Sequence, residues 1–200
     1  MNNGMTSWMP SYVKESHSGV REIDLMSQSL TDRKVYILGD ITDDTLNSFL
    51  LQIQFLSKSS EPIDIYINSP GGQINAGLAI YDIIQSLDGK VPVNMYCVGL
   101  AASMAALIFA GGQKGRRYIL PHSKCLIHEP LIAGGLGGSA TSIKKTAEDI
   151  LEIRKLTNSI LAKHTGRTIK QIDKATEFDN MMTAEEAVKF GICDEIKSVV

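Results

Sequence analysis

Cysteine is scarce in this chain and odd in number: Cys97, Cys125 and Cys193 lie far apart and no C-x-x-C occurs. That excludes a disulfide framework and a zinc knuckle, and leaves reduced, mostly buried thiols as the expectation. Aromatic residues are only 6% of the chain and are not interleaved with Lys and Arg, so no base-stacking platform is built. The formal net charge of −2 gives no electrostatic footprint for nucleic acid or an anionic membrane. The longest apolar run, residues 101–111, contains Ser103 and falls short of the roughly 20 residues a bilayer requires. The opening M-N-N-G-M-T-S-W-M-P lacks the apolar core of a secretory leader. The expected setting is the cytoplasm, with neither nucleic acid nor membrane as partner.

What is present is the profile of one globular domain: 200 residues, 44% apolar and 21% charged. Residues 1–18 are polar and without sustained period, and read as a mobile arm before a single domain over 19–200. Apolar positions within 21–30 suit a short helix. K-V-Y-I-L (34–38) reads as a strand, and Thr42-Asp43-Asp44 as the capped start of a helix with Leu46, Phe49, Leu50, Ile53 and Leu56 at helical spacing. I-D-I-Y-I (63–67) is a second strand, broken by a turn at N-S-P-G-G (68–72) before a helix over 74–87. Residues 91–111 combine a β-branched strand, small residues and an apolar helix. Short strands follow at 117–120 and 125–127. A glycine-rich stretch at 133–138 leads into a long helix over about 140–164, stopped by Thr165-Gly166. Helices near 168–176 and 183–191 close the chain. Alternating strands and helices predict an α/β layered domain with largely parallel pairing.

Ser103 sits where the strand of 91–111 becomes its helix. A serine there is commonly an N-cap. The flanking Gly99, Ala101, Ala102, Ala105 and Ala106 are small, however, so a substrate backbone could approach, and the helix would aim free amides at the site. The physics is that of a nucleophile elbow without the G-x-S-x-G spelling. Gly71-Gly72, taken alone a turn, also expose amides suited to an oxyanion or a phosphate, although no G-x-x-x-x-G-K-[ST] string is present. His128, at the end of an apolar strand, is the histidine best placed to act as a base. His122 lies in a solvated turn, His17 in the arm, and His164 at a helix end where a cation would suit the dipole. For an orienting acid, Asp179, Asp173 and Glu177 remain open. The long helix carries more apolar surface than a small domain can bury, which hints at subunit contact.

Y-I-N-S-P-G-G, G-L-A-A-S-M-A-A, L-P-H-S-K-C-L-I-H-E-P-L and A-E-E-A-V-K-F-G-I-C-D, in this order, resemble the signatures of the Clp protease proteolytic subunit (ClpP) family, over nearly the whole chain. The resemblance implies a ClpP/crotonase-like fold, a repeated ββα spiral with a protruding handle over about 130–164. It implies a serine endopeptidase with Ser103 as nucleophile, His128 as general base and Asp179 as orienting acid. The amides of Gly72 and Met104 would form the oxyanion hole, and Gly71, Gln73, Ile74, Leu131 and Ile132 would hold the substrate. It further implies heptameric rings stacked as a tetradecamer, and a chamber fed with unfolded polypeptide by an AAA+ Clp unfoldase. ATP is used by that partner, so no metal or cofactor is expected in this subunit.

Four departures from the family's pattern stand out. Phe178 replaces an arginine before the acid, Asp64 an aromatic of the unfoldase-docking pocket, Ser86 an apolar side chain, and Glu129 the usual glutamine after the histidine. They suggest a subunit that works beside a second ClpP paralogue or docks its unfoldase differently. A catalytically silent ring subunit and a crotonase-type acyl-CoA enzyme are the competing readings. The complete Ser103/His128/Asp179 set argues against both. A Ser–Lys signal-peptide peptidase would need a membrane anchor that the sequence lacks.

Overall fold

The computed structural model describes residues 10–16, 19–132 and 137–198. Residues 1–9 and 17–18 of the expected arm, and 133–136 of the glycine-rich stretch, lie outside them. The chain enters through a hairpin, β1 (Ser11–Ser16) antiparallel to β2 (Gly19–Asp24), followed by α1 (Leu25–Thr31). This corrects two expectations. Part of the presumed arm is a strand, and the helix expected over 21–30 begins only at Leu25. Ladder pairing claims residues 19–24, and the Asp24 carboxylate accepts from the Ser27 amide, so the helix cannot start earlier.

The main sheet begins with β3 (Lys34–Ile41), β4 (Ile63–Gly72) and β5 (Val93–Ala102), all parallel and joined by α2 (Asp43–Leu56) and α3 (Ile74–Ser86). Thr42 starts α2 in a capping box with Thr45, and Asp43 and Asp44 occupy its first turn, where acids favour the dipole. Strand alternation sorts the side chains. Val35, Ile37, Ile65, Ile67, Met95 and Cys97 are fully buried on one face. On the other face Tyr36, Tyr66, Tyr96 and Tyr118 stack across four strands with ring centroids 5.0–5.4 Å apart. Burial, followed by the nearby Asp64, pushes the Tyr66 phenol up to about 12.

The stretch 68–72 is a strand rather than the expected turn. The register shifts between Leu38 and Asp40 and between Ile67 and Ser69, and these irregularities let β4 continue to Gly72 opposite Ile41. From β5 the chain turns into α4 (Met104–Ala110), then β6 (Arg117–Ile119) and β7 (Lys124–Ile127). Strand β5 forks: Met95–Cys97 pair with β6, whereas Leu100–Ala102 pair with β7.

The long helix α5 (Ala140–Thr165) ends on Gly166 at φ 72°, as the Thr-Gly stop predicts. It is followed by α6 (Ile169–Thr176), β8 (Asn180–Met182), α7 (Ala184–Phe190) and β9 (Glu195–Ile196). Strand β8 pairs antiparallel with β7 and β9 parallel with β6. Of the apolar stripe on α5, Ile160 and Leu161 are buried, whereas Ile143, Leu151 and Leu156 are exposed.

Two polar groups lock this C-terminal part to the sheet. Arg117, only 1% exposed, meets Asp194 in a two-pronged pair at 2.7 and 2.9 Å and also donates to the Ala110 carbonyl. His164 bonds the Tyr81 hydroxyl at 2.9 Å. Burial, aided by Lys163 and Arg117, lowers its pKa to about 4. His164 is therefore neutral near pH 7, which corrects its reading as a cation placed for the helix dipole.

Candidate active site

The site grows from the fork in β5. Its last residues pair with β7 (Ala101↔Cys125, Ala102↔Leu126), and the Ser103 amide donates to the Leu126 carbonyl at 2.8 Å. Helix α4 then begins at Met104, so one residue carries the whole reversal from strand to helix. That residue is Ser103, at φ 55° and ψ −124°. Such a backbone is strained for any residue with a Cβ. Its hydroxyl makes no capping bond to α4, so the capping role that would explain a serine here is not filled.

Neighbouring glycines make room for the elbow. A Cβ on Gly71 would lie 2.6 Å from Ser103 Cβ and 2.8 Å from the Ala102 carbonyl oxygen, and Gly71 itself has φ 98°. A Cβ on Gly72 would strike the Ile41 backbone, and one on Gly77 would lie 2.6 Å from Met104 Cε. Gly71→Ala is therefore expected to lower the melting temperature by roughly 5–10 °C and to displace Ser103. Gly89→Ala is the control: its φ of 70° is also positive but nothing lies within 4 Å of the added Cβ, so it should cost less than half as much. Thermal unfolding of both variants reads the difference. Equal losses would show that the Gly71–Ser103 approach is unimportant.

His128 follows β7 directly and is half-buried. Ser103 and His128 line the same cavity of about 250 Å³, whose wall is otherwise largely apolar, with Leu107, Ile127 and Leu161. Met104, Gly72, Ile74 and Leu131 also border it. Gln73 lies with Ile74 and Leu131 along an adjoining open groove, Gly71 sits behind the elbow, and Ile132 borders neither space. Thr157 of α5, which sequence reasoning missed, is part of the cavity wall; its spacing to Leu161 on one helix face was the available signal.

The acids are distributed differently. Asp173 accepts a 2.7 Å hydrogen bond from Asn158, and Glu177 caps α6 at the surface. Asp179 is exposed, just before β8. Ile127 pairs with Asn180, so one further step of that antiparallel register sets Asp179 opposite His128. In this arrangement, however, the His128 Nδ1 faces the Glu129 carbonyl at 2.5 Å. Among the described residues no hydrogen bond joins His128 to Asp179 or to Ser103.

The cysteines do not compete as nucleophiles. All three are buried. Cys125 is pushed well up by a hydrogen bond with Cys97 and by burial, and burial takes Cys193 to about 12. Among the described residues no helix is long and apolar enough to cross a membrane, and no cluster of His, Cys, Asp and Glu is arranged to hold a metal.

The family model described as Clp protease matches residues 16–199. The mixed α/β architecture, with its mostly parallel central sheet and the seven helices among the described residues, is that of a ClpP/crotonase-like fold.

Proposed function

The chain belongs to the Clp protease family of peptidases, and from that premise we propose that it is a serine endopeptidase acting on unfolded polypeptide, with Ser103 as nucleophile and His128 as general base. The observation that carries this reading is a strained serine whose hydroxyl is free of its own helix, in one cavity with a histidine. His128 takes the hydroxyl proton as Ser103 Oγ bonds to the peptide carbonyl carbon. The amides of Gly72 and Met104 hold the oxyanion, and the imidazolium returns the proton to the leaving amine. Water then hydrolyses the acyl-enzyme by the same route in reverse. Asp179 orients the imidazole, replacing the Glu129 carbonyl as partner of Nδ1. The substrate lies extended past Gly71, Gln73 and Ile74 on one side and Leu131 and Ile132 on the other.

Heptameric rings, stacked in pairs and fed by an AAA+ unfoldase, complete the proposal. Exposed Ile143, Leu151 and Leu156 on α5 are apolar surface suited to ring contact. A resting subunit activated by assembly, or by a second paralogue, is favoured over a permanently silent one. His128 Nδ1 is engaged by a carbonyl while the β7–β8 register carries Asp179 to the position opposite, and Phe178, 78% exposed, is free to take part in a subunit contact.

The test is a fluorophosphonate probe followed by intact-mass analysis. One adduct per chain, on Ser103 and absent from Ser103→Ala, is expected. No adduct in any oligomeric state would leave the silent-subunit reading in its place.

A further inference from the structure

We propose that Glu129 and Arg154 are positioning residues for His128, their ion pair making helix α5 part of the base's support; this rests on the reading of His128 as the base. Glu129 holds the segment with its whole backbone. Its carbonyl meets His128 Nδ1 at 2.5 Å and its amide donates to the Thr176 carbonyl at 2.8 Å. Its side chain reaches away to α5, where Glu129 Oε2 lies 3.2 Å from Arg154 Nε. That N–H is sealed from water yet not aimed along a hydrogen bond, so the carboxylate acts on it as a charge. One turn further on, Asn158 donates to Asp173 at 2.7 Å and to Thr176 Oγ1 at 3.2 Å. Arg154 and Asn158, four residues apart on one face, thus hold Glu129 and Thr176, the two residues joined by the Glu129 amide hydrogen bond.

An ion pair about one-third exposed adds little stability by itself. Its position gives it a different effect. Among the described residues the cavity wall that His128 shares carries no other charged side chain. The charged groups packed around this segment are the Glu129 carboxylate, turned to Arg154 of α5, Asp173 of α6, held by Asn158, and Asp179, opposite His128 in the β7–β8 register. Paired at 3.2 Å, Glu129 and Arg154 largely offset each other's field on their surroundings. Unpaired, each biases the protonation of the imidazole in the opposite sense.

The experiment follows the rate of phosphonylation of Ser103 by a fluorophosphonate, with fluoride as leaving group, against pH, with thermal unfolding in parallel. In Glu129→Gln the uncompensated Arg154 disfavours the imidazolium, and the acid limb moves to lower pH by about half a unit. In Arg154→Gln the uncompensated Glu129 favours it, and the limb moves to higher pH by a similar amount. The double variant returns close to the unchanged protein, and Arg154→Lys, which keeps the charge, stays there. A pair with a merely structural role would lower the plateau without opposite displacements. Phosphonylation with unmoved limbs, or with both limbs moved the same way, overturns this proposal alone. No phosphonylation of the unchanged protein overturns the peptidase reading with it.

Discussion

With Ser103, His128 or both replaced by alanine, peptide hydrolysis is expected to fall to one shared residual level, about 10⁴-fold or more below that of the unchanged protein. A nucleophile and its base act as a unit, so removing the second after the first costs little more. The residual rate comes from substrate binding and the amides, which neither substitution touches. Turnover of an unstructured fluorogenic peptide measures the rates, and sedimentation shows that the variants keep the parent's assembly. Ser103→Ala should melt within a few degrees of the parent, because alanine at φ 55° is strained much as serine is. Losses that simply multiply in the double variant would show that the two residues do not work on the same step.

Asp194→Ala is expected to cost about 3–5 kcal/mol of stability, the largest structural loss of any single truncation considered. The carboxylate accepts from Arg117 Nε and Nη2 and from the amides of Gly115 and Arg117, and Lys114 lies 3.3 Å away. Without it, the Arg117 guanidinium stays buried with only the Ala110 and His164 carbonyls for company. Replacing both partners, as Arg117→Met with Asp194→Leu, should be milder than Asp194→Ala alone, because no buried charge is left unpaired. Chemical denaturation measures all three, and a double variant worse than either single one would contradict the account.

The pH dependence has a definite sign. Burial pushes the Asp194 carboxyl up, but the hydrogen bonds and charge of Arg117 more than reverse this and hold it at about 2. Its contribution is therefore present above the ordinary value of 3.8 and is lost as pH falls through about 2. His164 adds a separate decline between 6.5 and about 4, because its neutral form is the one the fold accepts. In Asp194→Ala the lower decline disappears while that of His164 persists.

How much of this was legible depended on the range of the interactions. The strand–helix reversal at Ser103 could be read locally from β-branched residues, small residues and an apolar run. So could α2, α5 and α7, whose caps Thr42, Gly166, Thr183 and Gly191 stand in the sequence. The extension of β4 through Gly72 could not, because Pro70 and two glycines signal a turn and only the bulged register with β3 overrides them. The hairpin of β1 and β2 was hidden by its polar, exposed composition. The charge state of His164 was hidden too, since it depends on burial by the fold and on Arg117, distant in sequence. At the site, Ser103 and His128 could be singled out as candidates from their own surroundings, and their roles came from the family resemblance. Asp179 was separated from Asp173 and Glu177 only by family resemblance, and the partnership of Glu129 with Arg154 spans residues no local pattern connects.

The left-handed backbone at Ser103 also bears on the history of the chain. Glycine would occupy φ 55° without strain, and Ser103→Gly would gain roughly 1 kcal/mol or more over serine. A lineage that no longer used the hydroxyl would thus have a single-residue path to a sturdier subunit, with no selection holding it back. Ser103 and Arg33 are the two non-glycine residues at positive φ among the described residues, and of the two only Ser103 lines the cavity.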